Sequence, residues 1–370
     1  MPVSPSMAEN LARMVSQLYE NAEASLLGIL ADALARGWEA PNWVQRKLAA
    51  ITTLRTAVTD VLGALQTDAD GAVRQALAAA YERGQQAAVA ELGAIRQPQA
   101  LEPRATPGEP VVDRLARAVL DDLRTPELGI LRQTTDVYRA VVAGAAGDPA
   151  LGIGTRRRAA QRALDQFAGR GITGFVDRAG RSWDLVSYAE MATRSVLGRA
   201  AIEAHTDRLG AAGVDLVIVS DSPEECPRCR PWERKVLRRE GPDGAGTVDV
   251  EHATEDGRTV SVRVAGSLPE ARRDGLMHPN CRHTVSAYLP GVTKTPPKQE
   301  DRASYETTQK QRYLERQVRA WKRRAAAALD DDARRTANAR VRGYQARIRE
   351  LTQETGLPRK SHREQLNTSR

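Results

Sequence analysis

Five side chains in this sequence have the types and spacing to hold a metal or to carry thiol chemistry. Cys226 and Cys229 frame "CPRC", and His278, Cys281 and His283 share the six residues "HPNCRH". With three cysteines and five histidines in 370 residues, this gathering into two short stretches is not a by-product of abundance. Pro227 limits the backbone inside the first pair, and Pro279 with Asn280 favours a tight turn inside the second. Cys226/Cys229 and His278/Cys281 both have the i, i+3 spacing of a zinc knuckle. Together they supply four soft or borderline ligands, the set of a closed, tetrahedral structural zinc site. His283 is the alternative partner for Cys281. It ranks below His278, because two residues between ligands suit a knuckle turn better than one. The 48 residues between the two knuckles exceed the interval of a short finger, and an inserted hairpin accounts for the excess.

Other chemistries fit the same residues less well. A dithiol redox centre at Cys226 and Cys229 lacks the flanking βαβ pattern. A catalytic zinc keeps one position open and wants a carboxylate base, for which Glu224 and Glu225 stand close; four available protein ligands argue against it. The bland reading is a set of ordinary, partly buried thiols and imidazoles. Elsewhere, His252 and Asp221 are acid/base candidates outside any motif that catalysis requires, and His205 sits alone on a helical pattern. There is no Gly-x-Ser-x-Gly or His-Glu-x-x-His and no Ser/His/Asp grouping. A non-enzymatic protein is therefore expected.

The elements that would position the cysteines are mostly helical, in line with a composition rich in Ala, Leu, Arg, Glu and Gln and poor in aromatics. Residues 1–96 read as three helices, with starts near Ser6, Asn42 and Asp70 and apolar residues every three or four positions. Mutual packing is the ordinary use of such stripes; docking on a partner is the other. The four prolines of 97–110 mark a linker. Helices are expected over about 111–123, 126–144 and 155–169, then a hairpin near 172–184 turning at "RAGR", then a long helix from Asp184 to Leu209. Residues 214–293 form a small α+β module in this reading. "VDLVIVS" is a β-branched strand, Val248–Val250 and Val260–Val264 pair across "TEDG", and "TVSAYL" closes the unit. Residues 294–370 return to helix as a hairpin broken at "DDD" (330–332). The fold class is thus predominantly α with a zinc-stapled α+β module.

The net charge of +8 is unevenly placed. From Lys294 onward there are 20 basic and 10 acidic residues, leaving 35 basic against 37 acidic before it. In "RQVRAWKRR", Arg316, Arg319, Lys322, Arg323 and Arg324 form a strip able to track nucleic-acid phosphates with little base specificity. A solvated face, or docking on an acidic partner, is the alternative. No basic start followed by an apolar run suggests a signal peptide, and no stretch approaches the ~18 apolar residues of a membrane span. Paired cysteines without a disulfide framework fit a reducing cytoplasm.

Three stretches resemble the phage minor capsid protein 2 group of Mu F-type head-morphogenesis proteins. They are "DRAGRSWDLVSYAEMATRSVLGRA" (177–200), "VIVSDSPEECPRCRPWERKV" (217–236) followed by "HPNCRHTVSAYLPG" (278–291), and the tail "YETTQKQRYLERQVRAWKRR" with "RGYQARIRELTQETGLPRKSHREQ". The resemblance covers about residues 110 to 365 and is specific in its order. It implies a low-copy virion protein, assembled in the host bacterial cytoplasm. The expected place is the capsid interior or portal vertex, with portal or major capsid protein, and packaged DNA, as partners. Many Mu F-type relatives end the signature Cys-Arg-Cys, where this chain has His283. Non-specific nucleic-acid binding and a maturation protease or nuclease remain the alternative functions.

Overall fold

The computed structural model describes residues 3–40, 42–93, 109–146, 153–170, 175–176, 182–222, 227–279, 281–295 and 305–366. Most of the proline-rich linker, the "RAGR" turn, Glu224, Glu225 and Cys226 lie outside the described residues. Nine helices occur among them: α1 (Pro5–Ala35), α2 (Trp43–Ala49), α3 (Ile51–Gly93), α4 (Glu109–Ala146), α5 (Ile153–Arg170), α6 (Leu185–Ala211), α7 (Leu268–Arg273), α8 (Tyr305–Ala326) and α9 (Asp331–Thr355). The seven strands are short: β1 (Phe175–Val176), β2 (Ser182–Trp183), β3 (Leu216–Val219), β4 (Val236–Arg238), β5 (Gly246–Glu251), β6 (Thr259–Val264) and β7 (Val285–Ala287). The predominantly helical class expected from the sequence is the class observed.

Two expected breaks are absent. From Ile51 onward the second and third expected helices are one, α3, which runs through Asp70 and Gly71, while the start near Asn42 is the separate α2. Neither residue stops a helix by itself; a mid-helix glycine costs only about 1 kcal/mol. Likewise α4 continues through Pro126, which local rules make a boundary. Buried residues on both sides of it, Leu120, Leu123, Glu127 and Ile130, supply the tertiary packing that offsets the lost backbone bond. The hairpin expected near 172–184 is present, with Phe175 opposite Trp183 and Val176 opposite Ser182.

The chain forms two compact units, each drawn from three separate stretches rather than from consecutive segments. Met1–Met14, Ala72–Val119 and Met191–Tyr305 make the first; Val15–Gly71, Leu120–Glu190 and Glu306–Arg370 make the second. The α+β segment around the cysteines therefore belongs to a unit that includes helical residues. Gly84 of α3 lies so close to Ala201 of α6 that a β-carbon would stand 2.2 Å from its carbonyl oxygen. Glu91, two turns further along α3, accepts from the Ala287 N–H at 2.8 Å and stands 3.2 Å from His205 Nε2. His205 is thus a fully buried structural histidine.

In that unit β3 is the central strand of a three-stranded antiparallel sheet ordered β4-β3-β7. All four of its residues are buried, as its unbroken apolar run requires. The β5–β6 hairpin pairs Gly246 with Val264 through Glu251 with Thr259. Its valines alternate inward, and Val248, Val250, Val260, Val262 and Val264 pack with Leu216, Val236 and Tyr288. Its other face, including Thr247, Asp249 and Ser261, meets solvent.

The second unit is helical apart from the β1–β2 pair. Trp38 and Trp43 stack at 4.5 Å, and Tyr19 donates to the buried Glu127 at 2.7 Å, with Gln66 donating to its other oxygen. The tail forms the expected hairpin: Leu314 and Val318 of α8 pack on Val341, Ile348 and Leu351 of α9, flanked by Trp321 and Tyr344. The break falls at the acidic triplet because Asp330 caps α9, accepting from Ala333 N–H at 2.9 Å. No single helix among the described residues is long and apolar enough to cross a membrane; α2 with α3 passes that test only as a pair bent by 44°.

Candidate metal centre

Antiparallel pairing brings the two ends of the cysteine-bearing segment together. Val219, the last residue of β3, lies opposite Val285, the first of β7, so the loop leaving β3 and the loop entering β7 emerge side by side. Two further bonds prolong the contact: Ser220 N–H to the Thr284 carbonyl at 2.9 Å, and Thr284 N–H to Ser220 Oγ at 3.0 Å. The first loop delivers Cys229 at the start of a 3-10 turn, with Trp232 N–H bonded to its carbonyl. In the second loop Cys281 N–H bonds back to the His278 carbonyl at 2.8 Å, the tight turn expected of "HPNC".

The result is a cluster. Cys229 Sγ lies 3.5 Å from Cys281 Sγ, far beyond a disulfide bond, and one ligand atom each of Cys229, His278 and Cys281 lie within 4.8 Å of one another. Zinc bonds of ~2.3 Å to sulfur give tetrahedral edges of about 3.8 Å, close to the observed spacing. Cys229 is fully buried, whereas His278 and Cys281 are half-buried. His278 Nδ1 is 2.6 Å from the Pro279 carbonyl; donating there places its lone pair on Nε2, the form that ligates. Cys226 lies outside the described residues, so three of the four expected ligands are seen together.

Sulfur chemistry in the cluster is biased towards thiolate. A hydrogen bond from the Cys229 thiol, and behind it those from His283, hold Cys281 at about 4 against the opposing effect of burial. Burial disfavours charge on His283, yet the adjoining Cys281 and Glu233 outweigh it and raise its pKa. His283 Nδ1 faces Cys281 Sγ at 3.4 Å, and its Nε2 is 2.7 Å from Glu233 Oε1. The three-residue cluster contains His278 and not His283. Nothing in the sequence spacing singled out Glu233, four residues beyond Cys229.

The other candidates are scattered. His252 is buried at the end of β5, its Nδ1 3.3 Å from Thr254 N–H, and it is not part of the cluster. The basic strip of α8 is divided by burial. Arg316 is exposed and Lys322 half-buried. Arg319 is buried, donating to Ser187 Oγ at 2.9 Å. Arg323 is also buried, donating to the Ala168 carbonyl at 2.9 Å and paired with Glu23 at 3.4 Å. Arg324 donates to the Asp165 carbonyl and lies over the Trp321 ring at 4.2 Å. Arg319 and Arg323 therefore face the protein interior, which corrects their expected place on a phosphate-tracking surface. Thr308, Gln311, Glu315, Arg319 and Arg323 recur at helical spacing on a buried side of α8. That period was the signal for their burial, and their polarity masked it.

A family model described as "Phage minor capsid protein 2" matches residues 3–353. A "Structural protein" of Lactococcus phage LL-H is 29% identical over 247 residues, which are 63% of this chain and 62% of that protein. A "Structural protein" of Lactococcus phage mv4 is 36% identical over 100 residues, 25% of this chain and 81% of the relative. The chain thus spans a little under two thirds of the longer relative. No solved structure matches it.

Proposed function

The chain belongs to the phage minor capsid protein 2 family, and from that premise we propose that it is a minor structural protein of a tailed-phage head, bound at the portal vertex inside the capsid. The family match over nearly the whole chain carries this reading. The N-terminal helices are the natural docking surface for portal or major capsid subunits, and no catalytic grouping among the described residues competes with a structural role. Purified virions are expected to contain the protein at low copy, by quantitative mass spectrometry, with portal subunits captured by cross-linking. Absence from virions and from assembly intermediates would overturn the proposal.

Within that role, Cys229, His278 and Cys281 hold a structural zinc, with Cys226 as the fourth ligand. The ion would supply folding energy and no chemistry. The convergence of three ligand groups from two loops supports this, as does a module core built chiefly from valines.

A second reading, contact with packaged DNA, is favoured by the tail's outer face. Arg335, Arg342 and Arg349 are all exposed and seven residues apart, so they line one side of α9, while Arg316 is exposed on α8. Each phosphate neutralised lowers the slope of log affinity against log salt by about 0.9. Replacing Arg342 and Arg349 by Ala is expected to weaken duplex binding regardless of base sequence and to flatten that slope by nearly 2. No measurable DNA binding by the wild type at low salt removes this reading.

A further inference from the structure

We propose that Glu233 and His283 are positioning residues for the zinc site, holding the Cys281 sulfur in place from behind without binding the ion. This rests on the zinc reading and deepens it.

Three links run in sequence from the backbone to the sulfur. Ser222 N–H donates to Glu233 Oε1 at 3.1 Å and fixes the carboxylate. The same oxygen accepts from His283 Nε2 at 2.7 Å, a short charge-assisted bond that fixes the plane of the ring. The ring then presents Nδ1 to Cys281 Sγ at 3.4 Å, and the His283 backbone N–H reaches the same sulfur at 3.4 Å. The His283 and Glu233 side chains are only 2% and 5% exposed, so water does not replace these bonds.

The arrangement has a physical use. A thiolate accepts several hydrogen bonds besides its metal bond, and those bonds set both its direction and its donor strength. A second buried anion, Glu233, is tolerable beside it only with N–H groups interposed. His283 lies between the two. Direct ligation through His283 Nδ1, 3.4 Å from the Cys281 sulfur, is the competing arrangement, whereas the cluster within 4.8 Å comprises Cys229, His278 and Cys281.

The test uses the full chain loaded with zinc or with cobalt(II), and the variants His283→Phe and Glu233→Gln. Glu233→Gln keeps shape and volume, so it stays informative if His283→Phe folds poorly. Both variants are expected to lose about 10- to 100-fold in zinc affinity by chelator competition. In both, the cobalt spectrum keeps its four-coordinate intensity while the thiolate-to-cobalt bands shift. Loss of four-coordinate intensity in His283→Phe alone would make His283 a ligand and overturn the proposal. Wild-type affinity and bands in both variants would overturn it as well. A folded wild type that takes up neither metal overturns the zinc reading and this assignment together.

Discussion

Stripping zinc with a strong chelator, or replacing Cys229 by Ser, is expected to unfold the β3–β7 module. The β5–β6 hairpin amides should lose their protection from hydrogen exchange. Cys229 is the fully buried sulfur of the cluster, and Ser there leaves a poor zinc ligand in an apolar site. Structural zinc contributes on the order of 10–16 kcal/mol in small zinc-dependent peptides, against a whole-domain stability of about 5–15 kcal/mol. The module's own apolar core is modest: Leu216, Val236, Val262 and Val264, with partly buried valines and Tyr288 beside them. The antiparallel β3–β7 pairing also draws on the loops that carry Cys229 and Cys281, through Ser220 and Thr284. Readdition of zinc should restore protection in the wild type and not in Cys229→Ser. A module that stays protected in a metal-free chain would show that its valine core suffices.

Replacing Arg323 by Ala is expected to cost about 3–5 kcal/mol, the range for removing one partner of a buried ion pair. Arg323 and Glu23 are 5% and 1% exposed at the side chain, and the guanidinium also satisfies the Ala168 carbonyl. The loss comes chiefly from removing a cation 3.4 Å from the buried Glu23 carboxylate. The double variant Arg323→Met with Glu23→Leu should therefore recover most of the stability, since an apolar pair of similar volume needs no solvation. Arg316→Ala, on the exposed face of the same helix, should stay within about 0.5 kcal/mol. Urea unfolding of the four chains makes the comparison. Equal, small losses for Arg323 and Arg316 would mean that Arg323 is solvated in solution.

Much of the helical architecture is legible one residue at a time. Leu314, Val318, Val341 and Ile348 recur at helical spacing, and their faces meet because a capping Asp330 turns the chain between them. The β5–β6 register follows from alternating valines, since a slip of one residue would turn them all to water. The missed joins, α3 through Asp70 and α4 through Pro126, share a cause. Local rules grade each residue as a helix former, while long helices are held by packing along their length. The same limit explains the basic strip. Composition cannot distinguish an arginine facing solvent from one, such as Arg319, that spans to a buried partner.

By itself the sequence determined the candidate thiols and imidazoles and the tight turn of "HPNC", the strand character of 214–220, the hairpin valines and the helical tail. All are properties of short segments, because turn geometry and hydrophobic period act over a few residues. Only the tertiary structure decided that Cys229 and Cys281, 52 positions apart, stand 3.5 Å from each other. It also separated the two histidines: His278 in the cluster with both sulfurs, and His283 between the Cys281 sulfur and Glu233. That separation depends on the β3–β7 register and on a carboxylate arriving from β4's approach, and long-range pairing of this kind leaves no mark in the spacing of "HPNCRH".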